Sequence, residues 1–294
     1  MNILYVIGNG FDRWHGLPTS YSDFYKFTEG ALNELEEYFN FQYSGESLWT
    51  NFEGDLGKFD WSLFYDAHNH TDFTSDSFRP SEVYGLEDDL TEQTTSLVDG
   101  VREKFQEWIE SIQIEGVQGR FEFIGKGQFI SFNYTPLLQE VYGIHDDLVL
   151  HIHGSAKKYD DLIFGHGECR EEEPELDEEG NSNRTMFSDS KAVAKIPFYS
   201  LKKPVLETLG NHNEYFSALS SVDIVVVLGH SLNDIDIPYF ERIAMVTEGK
   251  KWVVSKRSEC DEAKYLPQLE KCGVNTDLVV FKSIEDIPET LLLL

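Results

Sequence analysis

Ile3-Leu4-Tyr5-Val6-Ile7, followed at once by Gly8-Asn9-Gly10-Phe11-Asp12-Arg13-Trp14-His15-Gly16-Leu17-Pro18-Thr19, reads as a buried strand that feeds a glycine turn. In an open α/β sheet such a turn lies at the carboxyl end of its strand, where ligands bind. Glycines one residue apart let a backbone approach a phosphate closely. The same residues also suit a plain tight turn between a first strand and a first helix.

Outward from this stretch, runs of the same buried kind recur. Residues 128–132 and 148–152 are two of them, 224–228 is a third, and 251–254 and 278–281 read as two short strands near the end. A further short strand and turn is expected over 162–167. Helical patterns separate the strands. Residues 21–41 place Phe24, Phe27, Leu32, Leu35 and Phe39 near a helical period, broken at Gly30, with entry set by Pro18 and Thr19. The aromatic run of residues 48–64 reads as core, residues 66–82 as an exposed loop, and 86–114 as one long helix. Strands separated by helices mean a parallel sheet with right-handed crossovers. The expectation is one α/β domain over residues 1–294, its parallel sheet flanked by helices. It carries a largely helical insertion at about 20–120 and an acidic loop insertion at about 155–215.

With 294 residues, 40% of them hydrophobic, the chain has ample material for a core. Its formal charge of -29 argues against binding nucleic acid or an anionic membrane surface, because both need an electropositive face. Cys169, Cys260 and Cys272 have neither the spacing of a zinc site nor the even count of a disulfide framework, which suits thiols in a reducing compartment. The amino terminus lacks the basic and apolar regions of a leader, and no apolar run approaches the length of a membrane span. A soluble, cytoplasmic protein is expected, with no metal.

Polar, chemically capable side chains close several strands. Residues 128–132 run into Asn133-Tyr134-Thr135-Pro136, 148–152 into His153-Gly154, and 224–228 into Gly229-His230-Ser231-Leu232-Asn233-Asp234-Ile235-Asp236. Gly8-Asn9-Gly10 with Gly16-Leu17-Pro18, then Asn133-Tyr134-Thr135, His153-Gly154 and Gly229-His230-Ser231 resemble, in order, the motifs of the sirtuin-type NAD-binding fold. With Trp49 and Glu53 added, the set is similar to the bacterial abortive-infection family AbiH, which is associated with defence against bacteriophages. The motifs span residues 8–236. The paired cysteine motifs of sirtuin deacylases are absent, Thr135 stands where the sirtuin turn has an aspartate, and Arg13 stands where a dehydrogenase loop has its third glycine. Deacylation and hydride transfer are disfavoured.

The resemblance implies a sirtuin-like Rossmann-type fold that binds NAD or a related nucleotide and cleaves its nicotinamide–ribose bond. Gly8, Asn9, Gly10, Phe11, Gly229, His230, Ser231 and Asp234 would hold the nucleotide. Asn133, His153 and Asp12 would carry the chemistry. The nicotinamide is already a cationic leaving group, so the protein must mainly hold the ribose, stabilise a developing oxocarbenium ion and present a water. His153 is the candidate general base because imidazole titrates near neutrality. His151 points to the same face, and the sequence does not say which imidazole reaches a substrate. Asn133 would orient water or ribose, or cap the helix beginning at Pro136. Asp12 would accept from ribose hydroxyls or stabilise the cation, or cap the first helix.

Three functions follow. One is an NAD glycohydrolase that depletes NAD on infection, restrained by a homo-oligomer or a regulatory protein partner. Another is a nucleotide-binding sensor or scaffold without turnover. The third is a metal-dependent nuclease or phosphotransferase built on Asp234, Asp236 and Glu241, disfavoured by the negative charge.

Overall fold

Strands β1 (Asn2–Ile7), β2 (Lys126–Ser131), β3 (Val149–His151), β4 (Ile224–Leu228), β5 (Lys251–Ser255) and β6 (Val279–Lys282) form one parallel sheet in the order β3-β2-β1-β4-β5-β6. They are taken from a computed structural model that describes every residue except 33, 34, 40, 42–48, 72–74, 77, 80, 157–160 and 173. This is the strand order of the doubly wound dinucleotide-binding fold. Chain direction across the sheet reverses between β1 and β4, and the first glycine stretch leaves β1 at that point.

The chain divides into two compact units. The first, Met1–Asp23, Trp108–Ile163 and Pro204–Leu294, contains the whole sheet. Side chains of β1 alternate between its two faces, as the period of a strand requires. Leu4 and Val6 pack with Phe216, Tyr239, Phe240 and Tyr265, from helices Asn213–Ala218, Ile237–Val246 and Glu259–Lys271. Ile3, Tyr5 and Ile7 pack with Phe11, Leu137, Leu138 and Leu291, from helices Asn9–Trp14, Leu137–Tyr142 and Ile287–Leu293. Both faces are thus covered, which explains why β4 is an unbroken apolar run.

The second unit, Phe24–Glu107 and Phe164–Lys203, is built on aromatic packing. Phe24 meets Trp49, Phe52 and Phe105 at ring-centroid distances of 5.6, 5.2 and 5.5 Å, and Phe105 stacks on Phe164 at 4.1 Å. The core reading of this aromatic run is correct. Within the unit, the buried Lys203 ammonium lies 3.5 Å from the Glu53 carboxylate.

Several sequence expectations are corrected. The helical pattern of residues 21–41 is not one helix: Tyr21–Thr28 ends where Glu29 and Gly30 turn left-handed (φ 47° and 87°), and Leu35–Tyr38 is separate. The aromatic run likewise splits into Phe52–Leu56 and Trp61–His68, while its first residue, 48, lies outside the described residues. The long helix is Ser81–Ser111. Residues 162–167 make no strand, and His166 instead forms an isolated parallel bridge with Lys202. Residues 155–215 include helices Ser188–Ala194, Ile196–Ser200 and Val205–Asn211, short segments whose apolar residues are too few to show a period. Among the described residues, no helix is long and apolar enough to cross a membrane.

A hydrogen-bonded chain anchors the helix that follows β1. The Tyr142 hydroxyl accepts from the backbone N–H of Arg120 (3.0 Å) and Phe121 (3.1 Å), which leaves its own proton for His15 Nε2 at 2.6 Å. His15 Nδ1–H then donates to the Phe11 carbonyl at 2.8 Å. The ring is therefore neutral, and burial, with Arg120 adding to it, holds its pKa below the usual 6.5. A histidine lowered on folding contributes stability above 6.5 and loses it as pH falls below, because the unfolded chain takes the proton first. The advantage in melting temperature of the native chain over His15→Asn is expected to shrink between pH 7.5 and pH 5. A gap that stays constant across that range would contradict this tautomer.

Candidate functional site

The chain passes from β1 into helix Asn9–Trp14 with Gly8 as its N-cap and no capping side chain. The open glycine turn expected here is instead the start of the helix, and the amides of Gly8, Gly10 and Phe11 are already used. Gly8 N–H donates to the Leu228 carbonyl (2.9 Å), Gly10 N–H to the Gly229 carbonyl (2.7 Å) and Phe11 N–H to the Gly8 carbonyl (2.9 Å). A Cβ on Gly8 would lie 2.5 Å from His230 Cα, and one on Gly10 would lie 2.6 Å from the Gly229 carbonyl oxygen. Close approach is indeed why these positions are glycine, but what approaches is the turn after β4. Gly229 itself adopts φ 67°, which favours glycine. Asn9 fastens the far side of the loop, donating from Nδ2 to the Thr19 carbonyl at 2.6 Å. Phe11 is wholly buried and packs at 4.6 Å on the His15 ring.

Asp12 does not cap the helix, since it lies inside it. Its carboxylate accepts from Asn133 Nδ2 at 2.6 Å and from the Thr135 hydroxyl at 2.6 Å. Asn133 Nδ2 also donates to the Gly8 carbonyl at 3.1 Å. Asn133 is likewise not a cap, because Pro136 holds that position. Asp12 is only 1% exposed, and burial pushes its pKa up to about 7, with the bonds from Thr135 and Asn133 opposing the rise. Asn133 Oδ1 is buried and has no hydrogen-bond partner, an expensive state for an amide oxygen.

The Asn133 backbone is pinned on two sides. Ser131 Oγ accepts from its N–H (3.2 Å) and donates to its carbonyl (3.3 Å), and His151 Nδ1–H donates to that same carbonyl at 2.9 Å. His151 Nε2 accepts from Gln139 Nε2 at 2.9 Å. His151 is thus bonded to the Asn133 carbonyl and to Gln139, whereas His153 lies near Asp236, so the two imidazoles of His-Ile-His have different neighbours.

A second group lies at the same carboxyl edge. His153, 2% exposed, has Nε2 3.8 Å from Asp236 Oδ1, and His230 Nε2 lies 3.6 Å from Asp236 Oδ2. His230 Nδ1 accepts from Leu232 N–H at 2.9 Å, which places its proton on Nε2, facing the carboxylate. The 3.6–3.8 Å separations exceed hydrogen-bonding range. Phe132 meets both imidazoles edge-on, at 5.2 and 4.4 Å. Ser231 is half-buried in the turn after β4.

Asp234 stands apart. Its carboxylate is exposed and pairs with Lys271 at 3.0 Å, while Asp236 turns inward to the imidazoles. These two carboxylates therefore do not converge as the metal-dependent reading required. Among the described residues no group of three or more His, Cys, Asp or Glu is arranged to hold a metal ion.

Asp12, Asn133, His153, Gly8, Gly10, Gly229 and His230 are thus gathered at the carboxyl ends of β1 to β4. Thr135, read only as a departure from a motif, and Gln139, not singled out at all, were missed. One signal was present: Ser131, Asn133 and Thr135 alternate as polar residues with the aromatic Phe132 and Tyr134, at the end of β2 and just beyond it. A family model described as Bacteriophage abortive infection AbiH matches residues 4–256, a span that includes this whole site. No curated protein matches the chain, and no solved structure does.

Proposed function

The chain belongs to the bacteriophage abortive infection AbiH family, and from that membership we propose that it is an anti-phage protein which hydrolyses the nicotinamide–ribose bond of NAD. The likeness of its strand-end motifs to the sirtuin-type NAD-binding fold is part of this reading. The observation that carries it is the Asp12 carboxyl. It is buried, held by Asn133 and Thr135, and balanced near neutral pH beside an amide oxygen with no partner.

The reaction asks for such groups. The C1′–N1 bond breaks, its electron pair neutralises the pyridinium nitrogen, and positive charge builds on the ribose. An ionised Asp12 in a site of low polarity stabilises that charge more strongly than water does. Asn133 Oδ1 would accept from the attacking water or a ribose hydroxyl. Water oxygen bonds to C1′, and its proton goes to the His153 imidazole, which lies 3.8 Å from the Asp236 carboxylate. Nicotinamide, ADP-ribose and one proton are the products.

Asp12, Asn133 and His153 are all at least 95% buried, which keeps these groups in a site of low polarity where charge acts strongly. Cells carrying the protein are expected to lose NAD after phage infection, and cells carrying Asn133→Ala are expected to keep it. Defence with undiminished NAD would contradict the hydrolytic reading and favour a sensor.

A further inference from the structure

We infer that the site recognises the cationic N-ribosylpyridinium half of its substrate and draws little affinity from a diphosphate. This rests on the glycohydrolase reading above. In dinucleotide-binding folds, free backbone N–H groups of the first glycine turn receive the pyrophosphate. Here Gly8 donates to the Leu228 carbonyl at the end of β4, Gly10 to the Gly229 carbonyl in the turn after it, and Phe11 to Gly8. The Gly8–Leu228 bond follows directly on the last rung of the β1–β4 ladder, Ile7 opposite Leu228, in the most buried part of the sheet. Opening the site to admit a substrate would leave this central pair closed. The space a phosphate would need beside Gly8 and Gly10 is filled by backbone of residues 229–230.

Charge points the same way. Lys256, just beyond β5, is bonded to both Glu259 (2.8 Å) and Glu262 (2.7 Å), and Lys271 is bonded to Asp234 at 3.0 Å. These cations are already neutralised by the protein's own acids. Asp12 and Asp236, by contrast, lie buried at the carboxyl edge in a chain of net charge -29. An anionic diphosphate is repelled by such a field, whereas a pyridinium riboside is attracted by it. Affinity therefore comes from the cationic ring and its ribose.

The test is nicotinamide release by the full chain from nicotinamide riboside and from NAD, measured side by side. The inference expects kcat/KM for the riboside within about tenfold of that for NAD, and no competition from ADP. A riboside value more than tenfold below that of NAD, with NAD cleaved, would overturn this inference and leave the glycohydrolase reading intact. Release from neither compound would overturn both.

Discussion

Asp12→Asn is expected to stabilise the protein at pH 8 while abolishing nicotinamide release. With its pKa raised from 3.8 to about 7, Asp12 binds a proton in the folded chain that the unfolded chain has already lost. Its contribution to stability is therefore full below the unfolded value, falls as pH rises from 4 to 7, and leaves a cost on the order of 4 kcal/mol above that window. Asparagine keeps the shape without the charge. Its oxygen can still accept from Asn133, and its NH2 can donate to the Thr135 hydroxyl, so neither partner is left buried and unpaired. The variant should gain about 2 kcal/mol or more at pH 8 and little at pH 5. Thermal unfolding at the two pH values reads this directly, and a variant less stable than the native chain at pH 8 would contradict a raised Asp12. Under the hydrolytic reading the same change removes the anion proposed to stabilise the developing cation, and a loss of about a hundredfold or more in turnover is expected.

Asn133→Ala and His153→Ala should lower turnover through different steps. Removing the Asn133 amide takes away a donor to Asp12 and to the Gly8 carbonyl, together with its buried, unpaired oxygen. A fall of about a hundredfold to a thousandfold is expected, accompanied by a loss on the order of 1–3 kcal/mol in stability. His153→Ala removes the proton acceptor and should cost about a hundredfold to ten-thousandfold. Added imidazole should restore part of that activity, because it replaces the lost base without refolding the site. Asn133→Ala should not respond to imidazole. Equal rescue of both variants would show that the two roles are wrongly divided.

Much of this arrangement was legible in the sequence, for identifiable reasons. A strand buried on both faces must be apolar throughout, so β4 was read to its exact ends, and the other strands differed by no more than two residues at either end. The polar residues closing those strands were legible as a site because turns at the carboxyl edge of a parallel sheet converge. What touches what was not. Asp12 and Thr135 are 123 residues apart in the chain, and nothing local to either indicates that a hydroxyl at one would bind a carboxylate at the other. The glycines were read for the property they have, close backbone approach, but with the wrong visitor. A turn of protein and a phosphate make the same demand on Gly8 and Gly10, so residue type alone does not distinguish them. The division of labour between His151 and His153 was open for a similar reason, since alternation gives the face and leaves the partners unspecified.

The most direct test of the account is nicotinamide release from NAD by the purified chain, run beside Asn133→Ala confirmed by thermal unfolding to be folded. Release by the native chain that the variant loses is the result expected from a cation-stabilising centre of Asp12, Asn133 and His153. Release that persists in a folded Asn133→Ala would contradict the assignment of the site, and no release by the native chain would contradict the hydrolytic reading itself.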